Sequence, residues 1–293
     1  MEYIPAKTIV TQTKNHQWFA VDYNMNIYRG CCHGCIYCDS RSLCYRIDDF
    51  DKIRAKKDAL RIMRDDLLKK RKRGIIATGA MSDPYNPYEK ELKLTRNALE
   101  LINAYRFGVA IATKSASIVR DADILKDIQE HSPVLVKISI TTSDDNLCKI
   151  VEPNASLSSE RFEAVKMLNA AGVYTGVLMM PILPFIQDTE ENIINIVRKA
   201  KENGARFIYP AIGMTLRAGN REYYYENLDK HFPGIKEKYI KRYDERYNCT
   251  SPKVKKLWGI FTEECSRLEL RHQMKDIITD YKRGYTAKQL NLF

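Results

Sequence analysis

Between residues 74 and 212, short and nearly continuous apolar runs alternate with longer amphipathic stretches, and this alternation constrains the fold more than any other feature of the chain. The runs are "GIIATG" (74–79), "GVAIATKS" (108–115), "VLVKISITT" (134–142), "VYTGVLMMP" (173–181) and "RFIYPAIG" (206–213). Runs of this length without polar alternation fit parallel strands covered on their outer face. The stretches 94–105, 120–131, 158–172 and 188–204 carry apolar residues at helical spacing. Ser158 and Asp188 are expected as N-caps, and Gly172 and Gly204 as helix stops. A strand at 19–27 and a basic helix near 59–73 extend the series to about six βα units. Right-handed βα units repeated in this way form a barrel or a doubly wound sheet, and in both the ligand sits at the carboxyl ends of the strands. After residue 215 the pattern changes to helices rich in Tyr and Lys without a Pro/Gly/Ser linker. Residues 216–285 are therefore expected as a helical extension packed on a core of residues 1–215.

The segment "RGCCHGCIYCDSRSLC" (29–44) holds five of the eight cysteines, just past the first expected strand. Cys31, Cys35 and Cys38 form CxxxCxxC. Three thiolates on one short loop can hold three irons of a four-iron–four-sulfur cube and leave the fourth iron open. An open iron can chelate the amino and carboxylate groups of S-adenosylmethionine, whose sulfonium an electron then cleaves to a 5′-deoxyadenosyl radical. Cys32, Cys35 and Cys38, with His33, also make a conceivable zinc site. Structural zinc usually draws on two spaced ligand pairs, and no second CxxC or HxxxH occurs in the chain. Cys148, Cys249 and Cys265 are isolated and read as buried, inert thiols.

CxxxCxxC with an aromatic residue, Tyr37, before its last cysteine resembles the radical S-adenosylmethionine (SAM) superfamily. The segments "YNMNIYRGCCHGCIYC", "GAMSDPYNPYEKELKLTRNAL", "ATKS", "VKISITT", "VEPNASLSSERFEAVKMLNAAG" and "MMPILP" resemble its spore photoproduct lyase-like branch, whose members are often labelled DNA repair photolyases. The resemblance runs from about residue 6 to 215, and the chain is also similar to one member of the radical SAM pairs carried on mobile elements. The resemblance implies an α/β fold, a partial (β/α)6 TIM-type barrel with the helical extension appended. It implies Cys31, Cys35 and Cys38 as cluster ligands, with Cys32 the extra cysteine, its side chain turned away. Tyr37, Ser82, Asp83, Lys114 and Ser139 are implied as cofactor contacts, and Met179 to Pro181 as a floor for adenine. Beside these stand plainer readings: Asp83 bonding its own Asp-Pro turn, Ser139 as an ordinary strand serine, and an apolar core strand at 179–181. Lys114 at a buried strand end has no other evident reason, because burying an unpaired charge is costly. Two positions depart from the lyase pattern. Its "CTSD"-like segment reads "AMSD", with Ala80 at the place of the hydrogen-donating cysteine, and Asp39 replaces the tyrosine after the last cluster cysteine. The resemblance thus implies hydrogen abstraction from a nucleotide, but not the lyase's cysteine route; a radical enzyme acting on a peptide or small molecule, and a DNA- or clamp-binding module with a structural cluster, are the alternative readings. Cys32, Cys44, Tyr45 and Tyr85 are the nearby alternatives. A flavodoxin or ferredoxin is the implied electron donor.

Net charge is +11, which favours polyanionic partners such as DNA. Residues 51–73 hold eleven Lys/Arg against four Asp/Glu and end in "KKRKR" (69–73). That run reads either as a solvated helix end or as a phosphate-contacting patch. "YYY" (223–225) could stack bases or pack between helices. The final "QLNLF" is similar to the peptide by which bacterial DNA polymerases and repair proteins dock on the sliding clamp. Gln289 would anchor by hydrogen bonds, while Leu290, Leu292 and Phe293 present apolar surface; the plainer reading packs them on their own domain. No apolar run reaches the roughly 18–20 residues of a membrane span, and the amino terminus lacks a signal-peptide layout. A reducing, cytoplasmic setting without a membrane partner is expected.

Overall fold

Strand and helix alternate along the chain as the apolar pattern requires. The structure, a computed structural model, describes residues 1–14 and 16–285; the expected clamp peptide with Gln289, Leu290, Leu292 and Phe293 lies outside the described residues. The chain begins with β1 (Glu2–Ile4), β2 (Val10–Gln12), β3 (Tyr23–Met25) and β4 (Tyr28–Arg29). After the cysteine loop come β5 (Arg54–Lys56), α1 (Ala59–Leu68) and β6 (Ile75–Thr78). The central units are α2 (Glu89–Leu92), α3 (Leu94–Ala104), β7 (Gly108–Thr113), α4 (Ala122–Gln129) and β8 (Val134–Ser139). They continue with α5 (Asp145–Val151), α6 (Ser158–Ala170), β9 (Thr175–Met179), α7 (Glu190–Glu202) and β10 (Ile208–Pro210). β11 (Gly213–Thr215) closes the core segment, and the extension contains α8 (Asn220–His231), α9 (Ile235–Tyr243) and β12 (Asn248–Thr250). It ends with α10 (Val254–Arg267) and α11 (Met274–Tyr281).

The main sheet runs in the order β10-β9-β8-β7-β6-β3-β2. All neighbours pair in parallel except β2, which is antiparallel to β3. Six parallel strands with outer helices give the expected α/β architecture, and the sheet among the described residues does not close. Val109, Ile111, Val134, Val136, Ile138 and Val177 face outward into the apolar core. Ala110, Leu135, Leu178 and Phe207 face inward and join Phe19, Ile277 and Tyr281 in a separate cluster. Both faces of the sheet are thus covered, which explains why its strands read as continuous apolar runs.

Four local expectations change, the first being the cap of α6: Leu157 is its N-cap and Ser158 its first helical residue. The strand expected at 19–27 is confined to Tyr23–Met25, because Phe19 and Ala20 take left-handed φ values of 50° and 46° that end any extended run. The resulting turn drives Phe19 into the inner cluster. Thr189 rather than Asp188 caps α7, its side chain accepting from the Asn192 N–H at 3.2 Å; Asp188 is buried and accepts from Ser251 Oγ at 2.5 Å. The run 69–73 follows α1 instead of ending it: Lys70 Nζ donates to the Val10 carbonyl at 3.0 Å and Arg73 lies over the Phe107 ring at 5.0 Å.

The extension packs on the core: α10 lies on α7, and Phe207 forms an isolated bridge with Arg271. Tyr281 Oη donates to the Phe19 carbonyl at 2.5 Å and Lys282 Nζ to the Ala20 carbonyl at 2.7 Å, sealing the inner cluster. Within "YYY", Tyr224 is buried, with its hydroxyl 2.9 Å from that of Tyr239, so it packs between α8 and α9. Phe207 is fully buried between the Phe19 and Tyr174 rings. Phe207→Ala should cost about 3–5 kcal/mol, measured as a lowered midpoint of denaturant unfolding.

Candidate active site

β4 delivers the chain to the cysteines through Gly30, whose φ is +81°. A Cβ at this position would lie 2.4 Å from the Lys52 carbonyl oxygen, so only glycine fits. The Cys31 N–H then donates to the Phe50 carbonyl at 2.8 Å. On its other side the loop is bonded to residues 151–154. The Ile36 N–H reaches the Val151 carbonyl and the Asn154 N–H the His33 carbonyl, each at 3.0 Å, while Asn154 Nδ2 donates to the Cys32 carbonyl at 2.9 Å. Backbone bonds to two separate segments fix the frame that presents the thiols.

Cys31, Cys35 and Cys38 lie close enough for their charges to act on one another. Cys32 packs on the main apolar core, whereas Cys35 and Cys38 belong to a second cluster shared with Tyr37 and the extension. Burial pushes the Cys31 thiol up to about 12 and the Cys35 thiol well above its ordinary value. Free of metal, these thiols hold their protons, so loading iron must release them.

Tyr37 is buried behind the loop and donates its hydroxyl to Glu152. The other Glu152 oxygen receives Arg161 Nη2, and both charged side chains are fully enclosed. Arg161 also donates to the carbonyls of Ser139 and Ser156, each at 2.7 Å. Burial opposes the charge on Glu152, but Arg161 and then Lys114 outweigh it and hold the carboxyl below its usual range. Lys114 Nζ lies 5.6 Å from the Tyr37 ring centre. Burial works against this ammonium too, yet Cys35, once a thiolate, and Glu152 outweigh it and its pKa is raised.

A cavity of about 720 Å³ opens on the inner face at the carboxyl ends of the strands. Of the expected contacts, Tyr37, Lys114 and Ser139 line it together with Cys38. Ser82 and Asp83 do not. Ser82 Oγ donates to the Gly30 carbonyl at 2.5 Å. Asp83 accepts from the Tyr85 N–H at 2.9 Å, Thr113 Oγ1 at 2.7 Å and the Lys114 N–H at 2.8 Å, tying the loop after β6 to the end of β7. Met180 and Pro181 line the cavity, while Met179 turns outward into the helical core. Ala80 and Asp39 are on the wall; Cys32, Cys44, Tyr45 and Tyr85 are not. Asp39 is engaged by Tyr45 Oη at 3.0 Å and Thr215 Oγ1 at 3.1 Å.

The sequence model of the radical SAM superfamily matches residues 25–200, from β3 through most of α7. The chain belongs to the radical SAM superfamily. An uncharacterized protein of Mycobacterium tuberculosis is 25% identical over 283 residues, covering 94% of this chain and 79% of that one. An uncharacterized protein of Methanocaldococcus jannaschii is 34% identical over 171 residues, covering 57% and 63%. Among solved structures, a spore photoproduct lyase mutant superposes with a TM-score of 0.68 at 14% identity, covering 91% of this chain and 79% of the lyase. A radical SAM methyltransferase from Kitasatospora setae with cobalamin and a four-iron–four-sulfur cluster bound gives 0.53 at 12% identity, covering 86% and 52%. These likenesses place the fold with spore photoproduct lyase.

As a radical SAM protein the chain takes a four-iron–four-sulfur cluster and S-adenosylmethionine. The residues present fit both: three thiols stand on one braced loop, and Cys38 opens directly into the cavity. Among the described residues, no three His, Cys, Asp or Glu side chains converge on a point where one metal ion would sit. A cube gripped at three corners places its thiolates on three different irons and requires no such convergence.

Two groups escaped the reading of the sequence. Glu152 and Arg161 were detectable only indirectly: Arg161 stands four and seven residues before Val165 and Leu168, on the buried stripe of α6, where a cation needs a partner. Lys137 is the single charge in the apolar run of β8 and also lines the cavity. Removing one member of the buried pair strands the other. Glu152→Ala should destabilise the cluster-free protein by about 3–5 kcal/mol, as read by denaturant unfolding, and Glu152→Gln should cost less because it keeps a partner for Tyr37.

Proposed function

We propose that the protein is a radical SAM enzyme that abstracts a hydrogen atom from a nucleotide in DNA, in repair or modification, with its electron drawn from a flavodoxin- or ferredoxin-type donor. The observation that carries the reading is the braced cysteine loop at the carboxyl edge of the sheet, whose Cys38 lines a cavity of about 720 Å³ in a fold shared with spore photoproduct lyase. When bound, the cluster and S-adenosylmethionine supply one-electron cleavage of the sulfonium, giving methionine and a 5′-deoxyadenosyl radical.

The chain's own residues frame that chemistry. Cys31, Cys35 and Cys38 hold the iron. Lys114 brings a cation to the cavity beside them, and Ser139 offers a hydroxyl from the end of β8. Apolar walls from Leu178, Met180 and Pro181 keep bulk water from a reactive carbon centre. Support for a nucleic-acid substrate comes from the net charge of +11, from the lyase fold, and from the rim. There Arg217 stacks over the rings of Tyr247 at 4.5 Å and Tyr45 at 5.7 Å beside Asp39, a pairing suited to a base and its phosphate. The run 69–73 adds less, since it lies at the amino end of β6, on the rim opposite the cysteine loop. With Ala80 on the wall, the substrate radical is quenched by a route other than a cysteine at that position.

After anaerobic reconstitution, Cys31→Ala, Cys35→Ala and Cys38→Ala should each lose cluster absorbance and S-adenosylmethionine cleavage, whereas Cys32→Ala should retain the cluster. An inactive Cys32→Ala beside an active Cys31→Ala would reverse the ligand assignment. Deuterium from a labelled DNA substrate should appear in 5′-deoxyadenosine. Cleavage that proceeds without any label transfer from DNA would remove nucleic acid as the target.

A further inference from the structure

Lys137 is 3% exposed, in the middle of β8 on the inner face of the sheet. It pairs in register with Ala112 on one side and Gly176 on the other, so its two strand neighbours leave the space above them open. Below it lies the aromatic floor: its Nζ sits 4.7 Å from the centre of the Phe19 ring. Among the described residues no carboxylate, hydroxyl or carbonyl bonds it. Burial alone acts on it, lowering its pKa to about 8, with no neighbouring charge to offset the cost. Asp39 is the one carboxylate on the cavity wall, and Tyr45 and Thr215 already engage it.

The contrast with the other buried cations is informative. Arg161 has Glu152, and Lys114 has the field of Cys35 and Glu152. A buried lysine without a bonded partner destabilises the fold, and methionine would fill the same volume without that cost. Such a group fits a ligand that supplies the missing partner. A compact ammonium with three donors suits an anionic oxygen group, and the surrounding Trp18, Val21, Ala112 and Leu178 suit an apolar body attached to it.

We propose that Lys137 is a substrate-recognition residue, binding a phosphate or carboxylate oxygen of the substrate deep in the cavity beneath the S-adenosylmethionine site. The inference rests on the radical SAM reading only for the place of the cofactor, and requires no particular substrate.

The test uses the reconstituted holoenzyme and three probes: inorganic phosphate, acetate, and S-adenosylmethionine alone. Carbamylation of Lys137 by cyanate is followed by peptide mass spectrometry. At least fivefold protection by phosphate supports the proposal and names a phosphate-bearing substrate; equal protection by acetate supports it and names a carboxylate. Protection by S-adenosylmethionine alone, to the same extent, would assign the ammonium to the cofactor's own carboxylate and overturn the proposal. No protection by either anion would overturn it too. In parallel, Lys137→Met should lose anion binding in equilibrium dialysis while melting at or above the wild-type temperature, which separates lost recognition from lost folding. Anion binding undiminished in Lys137→Met would sink the assignment. None of these readouts depends on DNA or on S-adenosylmethionine cleavage, so they stand apart from the test of the proposed reaction.

Discussion

Arg161 and Glu152 meet where water does not reach, and three pieces of the chain are bound through them. The guanidinium grips the end of β8 through the Ser139 carbonyl and the approach to α6 through the Ser156 carbonyl. The carboxylate takes the Tyr37 hydroxyl and so fixes the last turn of the cysteine loop. Two unshielded charges inside a protein are expensive unless each is fully bonded; here the bonds they make hold Tyr37, the neighbour of Cys38, in place beside the cavity. The same pair sets the electrostatics of the site, since Glu152 also helps keep the Lys114 ammonium charged beside the thiols.

What could be read from the sequence followed the periodicity of its signals. The parallel strands from β6 onward and their outer helices are long enough for period and composition to agree, and the cysteine spacing is a local pattern that needs no tertiary knowledge. Features made by distant contacts were out of reach. Phe19 lies in a run that reads as strand, yet its left-handed backbone is imposed by the aromatic cluster into which it folds. Ser82 and Asp83 have the chemistry of ligand contacts, and only the three-dimensional arrangement shows them bonded to Gly30, Thr113 and the Lys114 N–H. Lys137 stood in plain view as a lone charge in an apolar strand, but which face it took depended on register.

Charge is distributed unevenly over the two rims of the sheet. Lys69 to Arg73 crowd the amino-terminal rim, partly engaged with Val10 and Phe107. The rim that carries the cysteines is framed instead by cations that are already stacked or paired, Arg41 on Tyr223 at 3.8 Å and Arg217 on Tyr247 at 4.5 Å. Guanidiniums already placed over rings are held in position, a rim suited to holding rings and phosphates in a set orientation.

The floor of the cavity is assembled from opposite ends of the chain. The Phe19 and Ala20 carbonyls are held by Tyr281 and Lys282, 262 positions away. A contact of such span closes one of the longest loops the polypeptide can make. During synthesis the strands can therefore pair, and the cysteine loop can be braced, well before the chamber acquires a bottom; only the arrival of α11 turns an open trough into a vessel.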